Sequence, residues 1–191
     1  MKQEVKRCWN TSNPLYIKYH DEEWGIPIYN DKKLFEFLTL GVFQAGLTWE
    51  LILNRRESFR TAFDNFEPKI VATYSDKKIN LLLNNPKIIR NKQKITCSIN
   101  NALKVLEIQK EFGSFSKFVW TFVKGTTIHN NFTKLCDLPC QSKESIKMSK
   151  DMKKMGFKFI GPTICYAFMQ ATGLVNDHLT TCFRYKEIRR N

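Results

Sequence analysis

Residues 156–163 read GFKFIGPT, a turn bounded by two glycines that separates two segments with helical patterns. The segment before it is amphipathic and rich in lysine, from Lys143 to Lys154. After it, Pro162 stands where proline is favoured, at the first position of a helix. The sequence therefore predicts a helix, a short hairpin and a second helix near residues 142–172.

A hairpin of this kind exposes backbone N–H groups beside a helix N-terminus, where a phosphate oxygen can bind. Neighbouring lysines add an attraction to a nucleic-acid backbone that does not depend on base sequence. An ordinary helix–helix turn has the same pattern, and shape alone does not separate the two. The candidate DNA contacts are Gly156, Lys158, Gly161 and Thr163.

The rest of the chain also has mainly helical periodicity. Apolar residues recur at helical spacing from Leu34 to Val42, and again from Ile95 to Leu106 before a stop at Gly113. Strand patterns are short and few, and no linker, repeat or low-complexity tract interrupts the chain. Further helices are predicted over 56–64, 75–84, 114–123, 142–155 and 162–172. We expect a single all-α domain over residues 1–191.

The composition favours a nucleic-acid partner. Lys and Arg outnumber Asp and Glu by 31 to 18, giving a formal charge of +13 and a pI near 9.5. A basic surface of this size attracts polyanions, although a lysine-rich genome would raise the count without any function. The six cysteines are scattered, and no run of about 18 apolar residues suits a membrane span. We expect a reduced, cytoplasmic or nucleoid-associated protein with no membrane partner.

Two pairs of potential metal ligands lie near opposite ends of the chain. His178 and Cys182 are four residues apart, which on a helix places them on one face. With Cys8 and His20 they make a Cys2His2 set, which zinc accepts in a tetrahedral arrangement with no open position for catalysis. Such an ion would join the two chain ends, although a His/Cys pair at this spacing is often a packing coincidence.

A second set of metal-binding residue types is His129, Cys136 and Cys140. Pro139 makes a regular helix there unfavourable, and a fourth ligand is not evident. This set remains an alternative.

Aromatic residues crowd the first 50 positions: Trp9, Tyr16, Tyr19, Trp24 and Trp49. In a basic helical protein such side chains can form a slot that stacks a base extruded from DNA. They also fill ordinary protein cores, so composition leaves both interpretations open.

Five segments carry a family resemblance: PLYIKYHDEEWGIP (14–27), KKLFEFL (32–38), FQAGLTW (43–49), IIRNKQKI (88–95) and GFKFIGPTICYAFMQATGLVNDH (156–178). In the same order, they resemble bacterial DNA-3-methyladenine glycosylase I, the constitutive Tag-type family, from about Cys8 to Cys182. The resemblance implies the helix-hairpin-helix glycosylase fold, with the hairpin at 156–161. It also implies a structural zinc held by Cys8, His20, His178 and Cys182.

The resemblance further assigns a base-binding pocket, mapped to Tyr16, Tyr19, Trp49 and Gln44, with Trp9 as a neighbour after a one-residue deletion in this chain. Where the family has a glutamate that holds the damaged base, this chain has Gly41. The expected pocket therefore lacks both a hydrogen-bond acceptor and a negative charge.

The implied activity is hydrolysis of the N-glycosidic bond of 3-methyladenine in alkylated double-stranded DNA, by a monomeric, monofunctional enzyme. A base methylated at N3 is cationic and leaves readily, so stacking on aromatic faces supplies much of the recognition. The alternative is a homologue that binds DNA with altered specificity or without turnover, because of Gly41. No catalytic residue is assigned; Asp177 is a candidate for stabilising the sugar, but we favour its capping a helix that carries His178 and Cys182.

Overall fold

The structure, a computed structural model, describes residues 5–190 and is predominantly helical. The helices are α1 (Pro14–Glu22), α2 (Asp31–Gln44), α3 (Trp49–Asn54), α4 (Arg56–Ala62), α5 (Pro68–Val71), α6 (Asp76–Leu83), α7 (Lys92–Phe112), α8 (Phe115–Trp120), α9 (Lys143–Lys154), α10 (Pro162–Ala171) and α11 (Phe183–Arg190). Strands β1 (Ile128–His129) and β2 (Val175–Asn176) pair in parallel, with Ile128 opposite Val175. The predicted all-α fold class is confirmed, with this short strand pair as an addition.

Helix α2 lies at the centre of the core. Its predicted apolar stripe is buried, since Leu34, Phe35 and Val42 are 0% exposed. Helices α3, α7, α8 and α10 all pack against it. The helix begins at Asn30, whose side chain accepts a hydrogen bond from the backbone N–H of Lys33 at 2.9 Å. Because α2 is buried on nearly all sides, its few half-buried positions are the ones that can face a cavity.

The predicted hairpin is present between α9 and α10, and side chains of α7 hold it. Asn101 donates to the carbonyl of Lys158 at 3.0 Å and accepts from the N–H of Lys158 at 2.8 Å. Asn100 donates to the carbonyl of Gly156 at 2.9 Å. Gly156 has φ +87°, the left-handed region in which glycine carries no Cβ penalty. The turn is therefore fixed from behind, and its outer face is left for a ligand.

The two ends of the described chain meet. The N–H of Phe183 donates to the carbonyl of Lys6 at 3.1 Å, and the N–H of Thr180 donates to the carbonyl of Phe132 at 2.9 Å. Gly173, with φ +73°, brings its backbone directly against that of Ile26, so the segment after α10 lies beside the loop after α1. These contacts place Cys8 and His20 next to the residues just after β2.

Four further predicted helices are found with shifted ends: 56–64, 75–84, 142–155 and 162–172. The predicted helix at 114–123 is α8 followed by a 3₁₀ turn. Gly113 ends α7 in the left-handed conformation, as predicted. The sequence interpretation missed α1, α3, α5 and α11. No helix among residues 5–190 is both long enough and apolar enough to cross a membrane.

Candidate functional site

Cys8, His20, His178 and Cys182 come together at the junction of the two chain ends. All four are buried, and their ligand atoms lie within 4.8 Å of one another. Cys182 Sγ is 3.6 Å from His20 Nε2 and 3.5 Å from His178 Nδ1, and Cys8 Sγ is 3.3 Å from His178 Nδ1. A tetrahedral zinc with bonds of about 2.3 Å to sulfur and about 2.0 Å to nitrogen sets sulfur and nitrogen about 3.5 Å apart. The quartet therefore has the donor set and spacing of a four-coordinate metal site.

The outer nitrogen of each imidazole is held by a second partner. His20 Nδ1 lies 2.7 Å from Asp21 Oδ1, and Arg7 pairs with the same carboxylate at 2.7 Å. His178 Nε2 lies 2.9 Å from the carbonyl oxygen of Trp24. Such contacts fix the orientation of a ligating imidazole. They leave His20 Nε2 and His178 Nδ1 as the nitrogens that face the thiols.

The thiols of Cys8 and Cys182 differ in acidity. The hydrogen bond with Cys8 lowers the pKa of Cys182, and bonds with His178 and His20 add to this. The hydrogen bond with Cys182, together with burial, raises the pKa of Cys8. The protein alone therefore stabilises one thiolate, at Cys182, and a bound cation is what would stabilise the second.

The helical argument that selected His178 and Cys182 is wrong, although both residues reach the cluster. His178 follows β2 in irregular backbone, and α11 begins only at Phe183. Pairing of β2 with β1 holds Val175 and Asn176 extended, and the chain then turns at Thr180 and Thr181, where the N–H of Cys182 donates to the carbonyl of Leu179 at 2.8 Å. The alternative set does not form: Cys136 and Cys140 are exposed, and among the described residues only the Cys8 quartet gathers three or more such ligands.

A cavity of about 200 Å³ lies between α1, α2 and α10. All six residues assigned to a base pocket line it: Trp9, Tyr16, Tyr19, Gly41, Gln44 and Trp49. The sequence interpretation did not assign eight further lining residues: Trp24, Phe37, Leu135, Leu138, Ala167, Phe168, Gln170 and Ala171. The last four lie on α10 at spacings of one, three and four, so the helical period could have placed them on one face.

Aromatic rings form the cavity wall. The ring centroids of Tyr19 and Trp49 are 5.3 Å apart, and those of Trp9 and Tyr16 are 5.2 Å apart. Tyr16, Tyr19 and His20 lie at spacings of three and four on α1, so one helix supplies both the cavity and the metal cluster. Burial raises the pKa of Tyr19, and burial followed by the charge of Glu50 raises that of Tyr16. Both hydroxyls therefore stay neutral at physiological pH.

The hairpin candidates lie at the N-terminus of α10. Lys158 and Thr163 are exposed, and Gly161 is the N-cap residue of α10 without a side-chain cap. A Cβ at Gly161 would have no atom within 4 Å, so nothing in the protein requires glycine there, and open space lies over the helix N-terminus. Thr163 also lines a shallow cavity that shares Gly41 with the aromatic one.

Leu47, at the edge of this shallow cavity, was not identified from the sequence. Leu47 is 38% exposed and lines the shallow cavity beside Thr163. Lys94 fixes the loop that carries Leu47, because its ammonium donates to the carbonyls of Phe43 and Ala45 at 2.8 and 2.6 Å. Burial lowers the pKa of Lys94.

Comparison with known proteins agrees with this geometry. The family model described as methyladenine glycosylase matches residues 9–185. The chain belongs to the methyladenine glycosylase family. DNA-3-methyladenine glycosylase 1 of Escherichia coli (strain K12) is 43% identical over 182 residues, covering 95% of this chain and 97% of that protein.

Solved structures of methyladenine glycosylases have the same fold. A crystal structure of 3-methyladenine DNA glycosylase I superimposes with a TM-score of 0.91 at 45% identity, covering 93% of this chain and 98% of that one. The Staphylococcus aureus enzyme, solved to explain 3-methyladenine recognition, superimposes with a TM-score of 0.89 at 37% identity, covering 92% and 94%.

Within this methyladenine glycosylase, Gly41 leaves the cavity without a carboxylate, since no Asp or Glu is among the lining residues. The backbone does not require glycine at this position. A Cβ at Gly41 would meet only Ile164 Cγ2, at 3.7 Å, which is ordinary contact. Position 41 therefore has room for a side chain, although this protein has glycine there.

Asp177 does not cap a helix, and that preferred interpretation is wrong. Its carboxylate accepts hydrogen bonds from Asn130 Nδ2 at 2.7 Å, Tyr166 Oη at 2.7 Å and Gln170 Nε2 at 2.8 Å. The residue is 1% exposed. Asp177 is therefore committed to three donors behind the cavity.

Proposed function

We propose that this chain is a monofunctional DNA-3-methyladenine glycosylase, which hydrolyses the bond between 3-methyladenine and deoxyribose in alkylated double-stranded DNA. The observation that carries the proposal is an uncharged aromatic cavity lined by α10, the helix that follows the lysine-rich α9 and the hairpin, in a chain of the methyladenine glycosylase family. The E. coli and S. aureus relatives are named for this base.

The cavity suits a cationic base rotated out of the duplex. Methylation at N3 gives the adenine ring a positive charge and weakens its bond to the sugar. The faces of Tyr16, Tyr19 and Trp49 are the lining groups for stacking, and a desolvated cation–π contact contributes on the order of 2 kcal/mol. A neutral adenine gains less binding free energy from the same rings. The base that binds best in the cavity is therefore also the base whose bond to the sugar is weakest.

Nothing in the cavity indicates a covalent intermediate. No lysine or cysteine is among the lining residues, and the carboxylate of Asp177 is occupied by three donors. A water molecule is then the nucleophile at the sugar, and the product is an abasic site in an unbroken strand. Asp177 therefore takes no direct part in the reaction, and its role is to hold the three side chains that donate to it.

Binding of the duplex would use the hairpin. Gly156 allows the turn its left-handed φ, and Gly161 leaves open space at the N-cap of α10. Lys158 and Thr163 are exposed beside the N-terminus of α10, where backbone N–H groups and the helix dipole attract a phosphate. The net charge of +13 adds a salt-dependent attraction. Leu47, apolar and exposed at the same rim, is placed to enter the space that the rotated base leaves.

The metal is proposed to be one structural zinc per chain, in a monomeric protein. Four protein ligands leave no position on the ion for water or substrate, so the ion would serve only to link the chain ends. The ring of Trp9 is 4.7 Å from that of His20 and 5.2 Å from that of Tyr16. Ordering Cys8 and His20 therefore also orders one wall of the cavity.

The test is release of labelled bases from DNA methylated with a tritiated agent, with the products separated by chromatography. We expect free 3-methyladenine and strands that break only after alkaline treatment. Trp49→Ala should lower release of every base about 5- to 150-fold, since stacking of a base on an aromatic side chain is worth about 1–3 kcal/mol. Salt-sensitive DNA binding without any release would instead support the non-catalytic alternative.

A further inference from the structure

The indole N–H groups of the lining residues Trp9, Trp24 and Trp49 can only donate, and those of Trp9 and Trp49 are buried without a partner among the described residues. Four other lining side chains have atoms that can accept a hydrogen bond from a base edge: Tyr16, Tyr19, Gln44 and Gln170. A hydroxyl can donate or accept, so the two tyrosines adapt to either edge. The side chain of Gln44 makes no hydrogen bond with a described residue, so its amide can turn either end toward a ligand. Tyr16, Tyr19 and Gln44 can therefore each act toward a ligand as either a donor or an acceptor.

Gln170 differs, because Asp177 fixes its amide. Gln170 Nε2 donates to Asp177 Oδ2 at 2.8 Å. A carboxylate can only accept, so the amide must turn its NH2 group toward Asp177. Tyr166 and Asn130, each at 2.7 Å, hold the carboxylate in place. The carbonyl oxygen, Gln170 Oε1, is left on the other side, and no described residue donates to it.

The backbone of Gln170 is equally constrained. It lies in the last turn of α10, and its carbonyl accepts from the N–H of Gly25 at 3.0 Å. Side chain and main chain are thus both tied to the structure behind the cavity. An acceptor held on a helix by two independent contacts needs no reorganisation when a base enters.

We propose that Gln170 is the residue that reads the base edge, accepting a hydrogen bond from the exocyclic amine of the rotated base, and that Asp177 is the positioning residue that fixes this polarity. The inference rests on the proposed function and adds to it the residue that distinguishes a cationic 6-aminopurine from a cationic 6-oxopurine. A 6-oxo group would set its oxygen against Gln170 Oε1, leaving two acceptors without a proton between them.

Asp177 also supplies the negative charge that the cavity wall lacks. Its carboxylate lies one hydrogen bond behind the amide of Gln170 and is itself 1% exposed. Hydrogen bonds in series polarise one another, so the charge makes Gln170 Oε1 a stronger acceptor. A cation is thereby favoured without a carboxylate in the cavity, where it would have to be desolvated in the empty enzyme.

The experiment compares two bases released from the same methylated DNA, 3-methyladenine with its 6-amino group and 3-methylguanine with its 6-oxo group. Gln170→Met keeps the size of the side chain and removes its polarity. We expect release of 3-methyladenine to fall about 10- to 100-fold and that of 3-methylguanine to fall less than about threefold. Gln44→Met is the matched control, and it should affect both bases alike.

Asp177→Asn tests the positioning role. An asparagine can donate as well as accept, so Gln170 can then present either end of its amide, and the preference for 3-methyladenine should narrow. Because His178 is adjacent in sequence, metal content and Tm are measured in this variant, with Tyr166→Phe as a second variant that keeps the carboxylate. In Tyr166→Phe the preference should persist, since Asp177 still accepts from Gln170.

Binding of free bases separates this inference from the proposed function. Quenching of tryptophan fluorescence by 3-methyladenine and by 3-methylhypoxanthine reports the 6-amino preference even in a protein that releases nothing. Selective binding that Gln170→Met abolishes supports the inference whether or not turnover occurs, while absence of any release overturns the proposed function alone. An unchanged ratio of bases in Gln170→Met, or equal binding of both free bases by the wild type, overturns the role of Gln170.

Discussion

Introducing a carboxylate at position 41 should sharpen the preference of this protein for 3-methyladenine. The position is helical and half-buried, and a Cβ there would meet only Ile164 Cγ2, at 3.7 Å. Removing glycine from a helix interior is worth about 0.5–1 kcal/mol, while partial desolvation of the new carboxylate costs about 1–3 kcal/mol. Gly41→Glu should therefore fold, with a loss of stability of no more than about 2.5 kcal/mol.

In the folded variant, the new carboxylate should favour release of a cationic base that presents a donor to it. A hydrogen bond to a charged group contributes about 1.5–3 kcal/mol, which corresponds to roughly 10- to 150-fold in release of a base that presents a donor. A base without a donor at the matching place, such as 7-methylguanine presenting its 6-oxo group, should gain little. The ratio of the two released bases then rises in Gly41→Glu relative to the wild type.

The assay is the release of both bases from one preparation of methylated DNA, under single-turnover conditions. Gly41→Gln is the control for size without charge, and Gly41→Ala is the control for helix propensity. Neither should raise the ratio as far as Gly41→Glu. A wild-type ratio that Gly41→Glu leaves unchanged would refute the reasoning, because it would show that position 41 does not reach the base edge.

Four further substitutions test the metal cluster, the hairpin and the backbone. Cys182→Ser should reduce bound zinc from about one per chain and lower Tm while leaving every cavity residue in place, and metal analysis that finds no zinc in wild-type protein purified without chelator would contradict this. Lys158→Glu should weaken binding to damaged and undamaged duplexes alike and flatten the salt dependence by about one unit, whereas a change in base preference alone would remove Lys158 from the DNA contact. Gly173→Ala should prevent stable folding, because its Cβ would lie 2.3 Å from the carbonyl carbon of Ile26 at φ +73°. Gly161→Ala, with open space around its Cβ, should retain wild-type Tm and lose affinity only for DNA.

The helices were predictable where an apolar face repeats over several turns. The stripe from Leu34 to Val42 and the stop at Gly113 are local signals, and both are found as predicted. Helix α1 was missed, although Asn13 caps it and Pro14 opens it. Only two of its nine residues, Tyr19 and His20, are buried, so its apolar face is too narrow to dominate the pattern.

The site depended on contacts that no local pattern contains. His178 and Cys182 were selected by a helical spacing that does not exist, because the chain leaves β2 at Asn176 and turns at Thr180 and Thr181 instead of forming a helix. The family resemblance identified the quartet where spacing alone left it open. Gln170 gave no signal, since its significance comes from Asp177 seven residues away and from the face of α10 turned to the cavity.

The position of Trp9 has a consequence for the order in which activity arises during synthesis. Trp9 lies just before α1, but its neighbour His20 shares the metal cluster with Cys182, 162 residues further along the chain. The cluster therefore cannot fix the cavity wall at Trp9 until Cys182 has been made. The hairpin at 156–161 precedes Cys182, so a nascent chain acquires the proposed DNA contact before it acquires that fixed wall.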